Sequence, residues 1–268
     1  MQRAAPHWPE YAIEATCLGL FMISAAAMAT LLQHPASPLA GWSSVPVLQR
    51  VPMGLAMGLT SAALIYSPLG ARSGAHMNPA VTLTFLRLRK IAPIDAAGYV
   101  VAQFGGALAG IAIATVALGG LPAHPSVNYA ATVPGHAGLA IAFAAELLIS
   151  FLLMSVVLRM SNTPRFARFT GVGASLLVAT YIIVEAPISG MSMNPARTLG
   201  SNAFASLFST LWIYFVAPPA GMLLAGEWYA RWHGHARVHC AKLHHPVATH
   251  CIFHCGHKEP IHELERSI

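Results

Sequence analysis

The chain has 268 residues, of which 56% are hydrophobic and only 9% charged, with a mean hydropathy of +0.59, against about 25% charged residues in ordinary globular domains. That composition excludes a water-soluble globular protein and defines an integral membrane protein whose main partner is the lipid bilayer. The formal net charge of +6 is spread along the chain in the manner of topology signals, so nucleic acid is not an expected partner.

From the N-terminus, the first two apolar stretches near the ~20 residues needed to cross a bilayer run from about 11 to 32 and from about 46 to 67. Only Arg3 precedes the first, and Glu14 lies inside it. A retained helix is therefore expected rather than a cleaved signal peptide, with no soluble domain ahead of it. The segment Ser73-Gly74-Ala75-His76-Met77-Asn78-Pro79-Ala80-Val81-Thr82 follows. Asn accepts hydrogen bonds from the orphan amides of a helix start and Pro lacks one of them, so Asn78-Pro79 opens a helix. Its apolar run, Ala80 to Leu86, is stopped by Arg87, Arg89 and Lys90 and is too short to span. A third long stretch runs from about 94 to 118 and leads into a loop containing Pro and Gly, around Gly119 to Gly135.

The second half repeats this order. Long stretches at about 137 to 158 and 167 to 187 precede Ser189-Gly190-Met191-Ser192-Met193-Asn194-Pro195-Ala196-Arg197-Thr198, a short run to Phe208, and a last stretch at about 207 to 230. Asn78 and Asn194 lie 116 positions apart, and Glu146 pairs with Glu14 on the first span of its half. Three spans per half force the second copy, about 136 to 230, to enter the membrane from the face opposite the first, about 8 to 118, which makes an inverted repeat. The predicted fold is all-α: residues 1 to 230 as a channel domain of six spans plus two re-entrant half-helices that meet at the midplane, where irregular backbone is tolerated because it lines water. Pro46, Pro52, Pro187, Pro218 and Pro219 within or beside the spans blur their ends. Gly106-x-x-x-Gly110 and Gly221-x-x-x-Ala225 are spacings that bring helices close.

With the N-terminus inside, 13 of the 15 Lys and Arg residues fall on the cytoplasmic side, all but Arg50 and Arg197. Both termini are therefore expected in the cytoplasm. Glu14 and Glu146 are intramembrane carboxylates, a functional signal by default. Two readings stand, a proton relay and structural support of the two loops, and their pairing across the repeat favours support. His76 is a further prop of the first loop.

The twin motifs, Asn78-Pro79-Ala80 and Asn194-Pro195-Ala196, in their Ser-Gly settings resemble those of the aquaporin, or major intrinsic protein, family over roughly residues 8 to 230. The resemblance implies a passive channel for water and small neutral solutes that excludes protons and ions, one pore per subunit of a homotetramer, no catalysis and no cofactor, in a bacterial inner membrane or a plasma membrane. Two half-helix N-termini, each worth roughly +0.5 charge, facing one another repel cations, and the two Asn side chains orient the passing molecule. Carried over by position, the selectivity filter is Arg197, Met191, Ile182 and either Met57 or Gly58, because the loop Tyr66 to Arg72 is one residue longer than usual. Ile182 stands where water-selective members have His. That less polar filter favours a glycerol or metalloid-hydroxide facilitator, whereas Thr198 and Asn202, in place of the acidic and basic residues of the glycerol branch, oppose it. Tyr214-Phe215 resembles the aromatic pair of the water branch. A closed-pore structural or adhesion protein is the rival of another class.

From Arg231 the composition changes. Nine of the chain's 14 histidines and three of its four cysteines lie in the last 38 residues. Residues 231 to 268 read as a disordered cytoplasmic tail, with His250, Cys251, His254, Cys255 and His257 as weak candidate ligands for a metal ion; a tail without ligand is favoured over a low-affinity metal-binding segment and a metal-responsive gate. Cys17, on an apolar span, reads as packing.

Overall fold

In the computed structural model, which describes residues 6–246 and 251–256, ten α-helices arrange as two copies of a five-helix pattern. The first copy comprises α1 (Trp8–Gln33), α2 (Pro46–Tyr66), α3 (Pro68–Ser73), α4 (Pro79–Arg87) and α5 (Pro93–Ala117). The second comprises α6 (Leu139–Ser161), α7 (Thr170–Val184), α8 (Ala186–Ser189), α9 (Pro195–Phe204) and α10 (Leu211–His233). No strand occurs among the described residues.

Of the six long helices, α1, α5, α6 and the segment Ala167–Val184 around α7 are apolar and long enough to cross a membrane on composition alone. α2 and α10 fall outside that group. They carry Gln49, Arg50, Glu227 and Arg231, yet they occupy equivalent places in the repeat: α2 packs on α7 across the two halves, and α10 on α6 as α5 packs on α1. Exposed apolar side chains such as Leu59 (70%), Val101 (72%) and Val116 (82%) cover the outside, the surface that a bilayer solvates.

The halves interlock through the short helices. α4 packs on α10, and α9 packs on α5, so each half-helix is held by the last long helix of the other copy. Close approach inside each copy depends on absent side chains. A Cβ on Gly106 would meet the Ala15 carbonyl oxygen at 2.2 Å, and one on Gly221 the Leu147 carbonyl oxygen at 2.2 Å. Helix backbones touch there as small-residue packing in membranes requires.

Ion pairs gather at one end of the bundle. Arg72 Nε donates to Glu10 at 2.9 Å, Arg87 Nε lies 2.8 Å from Glu227 Oε1 as an ion pair, and His7 lies 2.8 Å from Asp95, which also accepts from Tyr11 Oη at 2.6 Å. Residues 234–246 and 251–256 return to this same end, and among these described tail residues the expected disorder gives way to packing: α10 continues to His233, and Val238, Cys240, Ala241, Lys242, Leu243 and Phe253 are buried. Apolar side chains among the histidines, together with backbone groups that find partners on the bundle, supply the burial that composition alone did not disclose.

Candidate functional site

Each re-entrant loop is a chain segment with its amides turned towards a carboxylate. Glu14, fully buried on α1, accepts hydrogen bonds from Ser73 Oγ (2.8 Å), His76 N (3.0 Å), Met77 N (2.6 Å) and Gln103 Nε2 (2.8 Å). Glu146, fully buried on α6, accepts from Ser189 Oγ (2.9 Å), Ser192 N (2.6 Å) and Met193 N (2.8 Å). A buried carboxylate that accepts three or four donors satisfies both itself and the amides around it. Each carboxylate thus gathers the amides of its own loop.

A tyrosine from the last long helix of each half completes the clamp. Tyr99 Oη donates to the Ser73 carbonyl at 2.7 Å, and Tyr214 Oη to the Ser189 carbonyl at 2.5 Å. Sequence reasoning had no role for Tyr99 and treated Tyr214 only as a family marker, although the two recur 115 positions apart. Phe215 points elsewhere and stacks on Phe104, centroids 5.8 Å apart.

The loops then turn through left-handed backbone at Ala75 and Met77, and again at Met191 and Met193, with φ between 47° and 54°. Such residues cost of order 1–3 kcal/mol each and persist only where their surroundings hold them. Here the turned carbonyls have a use. Asn78 Nδ2 donates to the Met193 carbonyl and Asn194 Nδ2 to the Met77 carbonyl, each at 2.7 Å. The two motifs thus grip one another. Asn78 Oδ1 accepts from Ala80 N at 2.8 Å, while Asn194 Oδ1 accepts from Ala196 N at 3.1 Å and Arg197 N at 3.2 Å, the capping predicted from Asn-Pro. Pro79 and Pro195 are the first residues of α4 and α9. One hydrogen of each Asn amide is engaged across the junction, leaving the other for a molecule in the lumen.

A cavity of about 520 Å³ passes this junction. Its walls include Gln33, Trp42 and Arg50 at one end, Asn78 and Asn194 at the junction, and His76 and Leu243 at the tail end. On α2 the lining residues are Gln49, Arg50, Met53, Met57, Ser61 and Ile65, a stripe at the i, i+3 and i, i+4 spacings of one helix face. Met57 therefore lines the lumen and Gly58 does not: a Cβ on Gly58 would strike the Ala179 Cβ at 2.9 Å on α7. That corrects Gly58 as a filter candidate. Ile182, Met191 and Arg197 line the same cavity as Met57. Arg197 lines the cavity, and its Nη1 is buried without a hydrogen-bond partner among the described residues.

Asn202 does not face the lumen as a selectivity residue. Its amide brackets Thr132, accepting from Thr132 N at 2.9 Å and donating to the Thr132 carbonyl at 2.8 Å, which ties the inter-repeat loop onto α9. Thr198 hydrogen-bonds Ser192 inside the second loop. In the first loop the same place is filled by His76 and Thr82, 3.0 Å apart.

The tail candidates separate. Cys251 and Cys255 stand with Cys240 and His245, two residues that the sequence reading did not group. His254 Nδ1 instead lies 2.9 Å from the Arg89 carbonyl and is not one of the group, while His250 and His257 fall outside the described residues. Lys242, buried beside the cysteines, donates to the Ala71 carbonyl at 2.8 Å, and its burial lowers its pKa. Cys17 is buried on α1, as expected.

Twin capped half-helices meeting in a lined cavity define a membrane channel of inverted-repeat design. The family model "Major intrinsic protein" matches residues 6–229. The chain belongs to that family of passive channels for water and small neutral solutes. It is 38% identical over 181 residues to "Glycerol uptake facilitator protein-like 6" of Lactiplantibacillus plantarum, covering 65% of this chain and 81% of that protein. It is 34% identical over 177 residues to "Nodulin-26" of Glycine max, covering 66% and 63%. The fold matches the aquaglyceroporin from Plasmodium falciparum with a TM-score of 0.67 at 22% identity, over 83% of this chain and 95% of that one.

Proposed function

We propose that the cavity past Asn78 and Asn194 conducts water together with small uncharged solutes such as glycerol or urea, down their gradients. The observation that carries this reading is the lining itself: Met57, Ile182 and Met191 surround one partnerless guanidinium donor on Arg197. An apolar wall with a single strong donor orients a polar neutral molecule without demanding the second donor that a His in place of Ile182 would supply. Cations are opposed by Arg197 and by the two half-helix N-termini, each roughly +0.5 of a charge.

All six long helices cross the membrane in this reading, and the end bearing the ion pairs and the tail is cytoplasmic, because Lys and Arg concentrate there. The cell membrane is the site of action. Four copies assemble through the exposed apolar faces, each with its own pore. The similarity to a protein named as a glycerol uptake facilitator supports the solute reading.

Stopped-flow light scattering tests this on proteoliposomes of the full chain. In a glycerol gradient they are expected to shrink quickly and reswell faster than empty vesicles. Rapid shrinking with reswelling at the empty-vesicle rate would restrict the channel to water.

A further inference from the structure

Cys240, His245, Cys251 and Cys255 come together from a stretch with spacing Cys-x4-His-x5-Cys-x3-Cys. Their ligand atoms all lie within 4.8 Å of one another, with Cys240 Sγ 3.5 Å from Cys251 Sγ and Cys255 Sγ 3.3 Å from His245 Nε2. Zinc at about 2.3 Å from sulfur and about 2.0 Å from nitrogen puts tetrahedral ligand atoms about 3.8 Å apart for two sulfurs and about 3.5 Å for sulfur and nitrogen. The short contacts already approach those edges, and modest contraction of the longest closes the tetrahedron. Three thiolates and an imidazole around a divalent ion carry a net charge of −1, and the buried Lys242 ammonium interacts electrostatically with all three sulfurs, which neutralises the site. Soft sulfur donors in a tetrahedron select zinc over oxygen-seeking ions.

The loop that carries these ligands lies against the first re-entrant loop. His76 Nε2 is 2.9 Å from the Ala241 carbonyl, and its ring stacks on Phe253, centroids 5.4 Å apart. Leu243 N donates to the Gly74 carbonyl at 3.1 Å, and the Leu243 side chain forms part of the cavity wall. His254 N donates to the Lys90 carbonyl at 3.0 Å, and His239 N to Asn162 Oδ1 at 2.7 Å. The tail thus reaches across α4, α6 and the Asn-Pro-Ala loop, with the four-ligand cluster as its own crosslink.

We propose that Cys240, His245, Cys251 and Cys255 form a Cys3His zinc site that locks residues 238–246 and 251–256 into the tail-side mouth of the conduit, so that metal occupancy sets how open that mouth is. The gating half of the proposal rests on the channel reading above; the metal site does not. An apolar side chain such as Leu243 in a narrow mouth closes it by dewetting, and loss of the crosslink frees the segment that presents it.

Two readouts on the full-length protein separate the halves of the proposal. Purified in reductant and measured by mass spectrometry of the metal, the wild type should hold about one zinc per chain and the C251S/C255S double variant below roughly one-tenth. Cobalt in its place should give the thiolate charge-transfer and visible bands of a tetrahedral site. His245→Cys, which keeps four ligands, should retain zinc and shift those bands. Four thiols should titrate in the unfolded, metal-stripped chain; two would mean a disulfide and would overturn the site, as would zinc below a tenth of an equivalent after zinc is offered. In proteoliposomes, a zinc chelator should raise water permeability of the wild type by about threefold or more and leave C251S/C255S unchanged at the higher level. Zinc bound at full occupancy with chelator-independent flux would overturn the gate. Flux no faster than empty vesicles in every form would overturn the channel reading and the gate with it, while the metal and cobalt readouts still judge the site.

Discussion

The two re-entrant loops begin from nearly the same sequence and end in different surroundings. Each hangs its amides on a buried glutamate, receives a tyrosine hydroxyl on its first carbonyl and caps its half-helix with Asn. Beyond that they diverge. The first loop carries His76, which reaches out to the Ala241 carbonyl and stacks on Phe253, so that a segment of the tail covers it. The second carries Ser192 in that place and Arg197 where the first has Val81, and Arg197 lines the cavity with its Nη1 lacking a hydrogen-bond partner among the described residues. Duplication supplied the support. The tail contact falls on the first copy only, and the Arg197 guanidinium on the second only.

The largest effect should come from removing the support. Glu14→Ala strands four donors and Glu146→Ala three, each costing about 1–3 kcal/mol when buried without a partner. Both variants should lose most of their monodisperse protein in size-exclusion chromatography, Glu14→Ala more completely. Equal yield from both and from wild type would mean that the loops hold without their carboxylates.

Next come the junction residues. Asn194→Asp sets a negative charge between two half-helix N-termini of roughly +0.5 each, so water flux should fall by about tenfold, which is about 1.4 kcal/mol of barrier. Cation leak should rise. Asn78→Asp should do the same, because each amide grips the other loop's carbonyl at the same distance; a large effect from one alone would break the equivalence of the two motifs at the pore centre.

Ile182→His should narrow selectivity, with glycerol uptake falling by about tenfold while water flux stays within about twofold. Parallel loss of both would point to general occlusion. The smallest effect is expected from the tyrosine clamp. Tyr99→Phe and Tyr214→Phe each remove one hydrogen bond to a loop carbonyl, about 0.5–1.5 kcal/mol, and should lower thermal midpoints by similar, small amounts.

Much of this architecture was legible in the residues. Asn-Pro fixes a helix start by local chemistry alone, and its recurrence after 116 positions carries the inverted repeat with it. The paired glutamates were legible for the same reason, since a lone carboxylate on an apolar span needs donors and the adjacent loops supply them. The choice between Met57 and Gly58 was not legible. It depends on how α2 rotates against α7, which is set by contacts with Ala179 that no local signal encodes. The packing of the described tail residues, up to 246 and 251–256, was not legible because it rests on backbone bonds to the bundle and on side chains spread from 240 to 255 without a finger spacing. Its dense histidines drew attention to His254, which faces the Arg89 carbonyl, and away from Cys240 and His245.

The central claim, a conduit that passes neutral molecules and refuses cations where two half-helices meet, is tested most directly in one vesicle preparation. With a chelator present, water efflux is followed by light scattering and proton entry by a trapped pH-sensitive dye under an imposed inward-negative potential. The account predicts water efflux many times faster than in empty vesicles, with proton entry at the empty-vesicle rate. Proton entry that accelerates together with water would contradict it and would return Glu14 and Glu146 to the role of a relay.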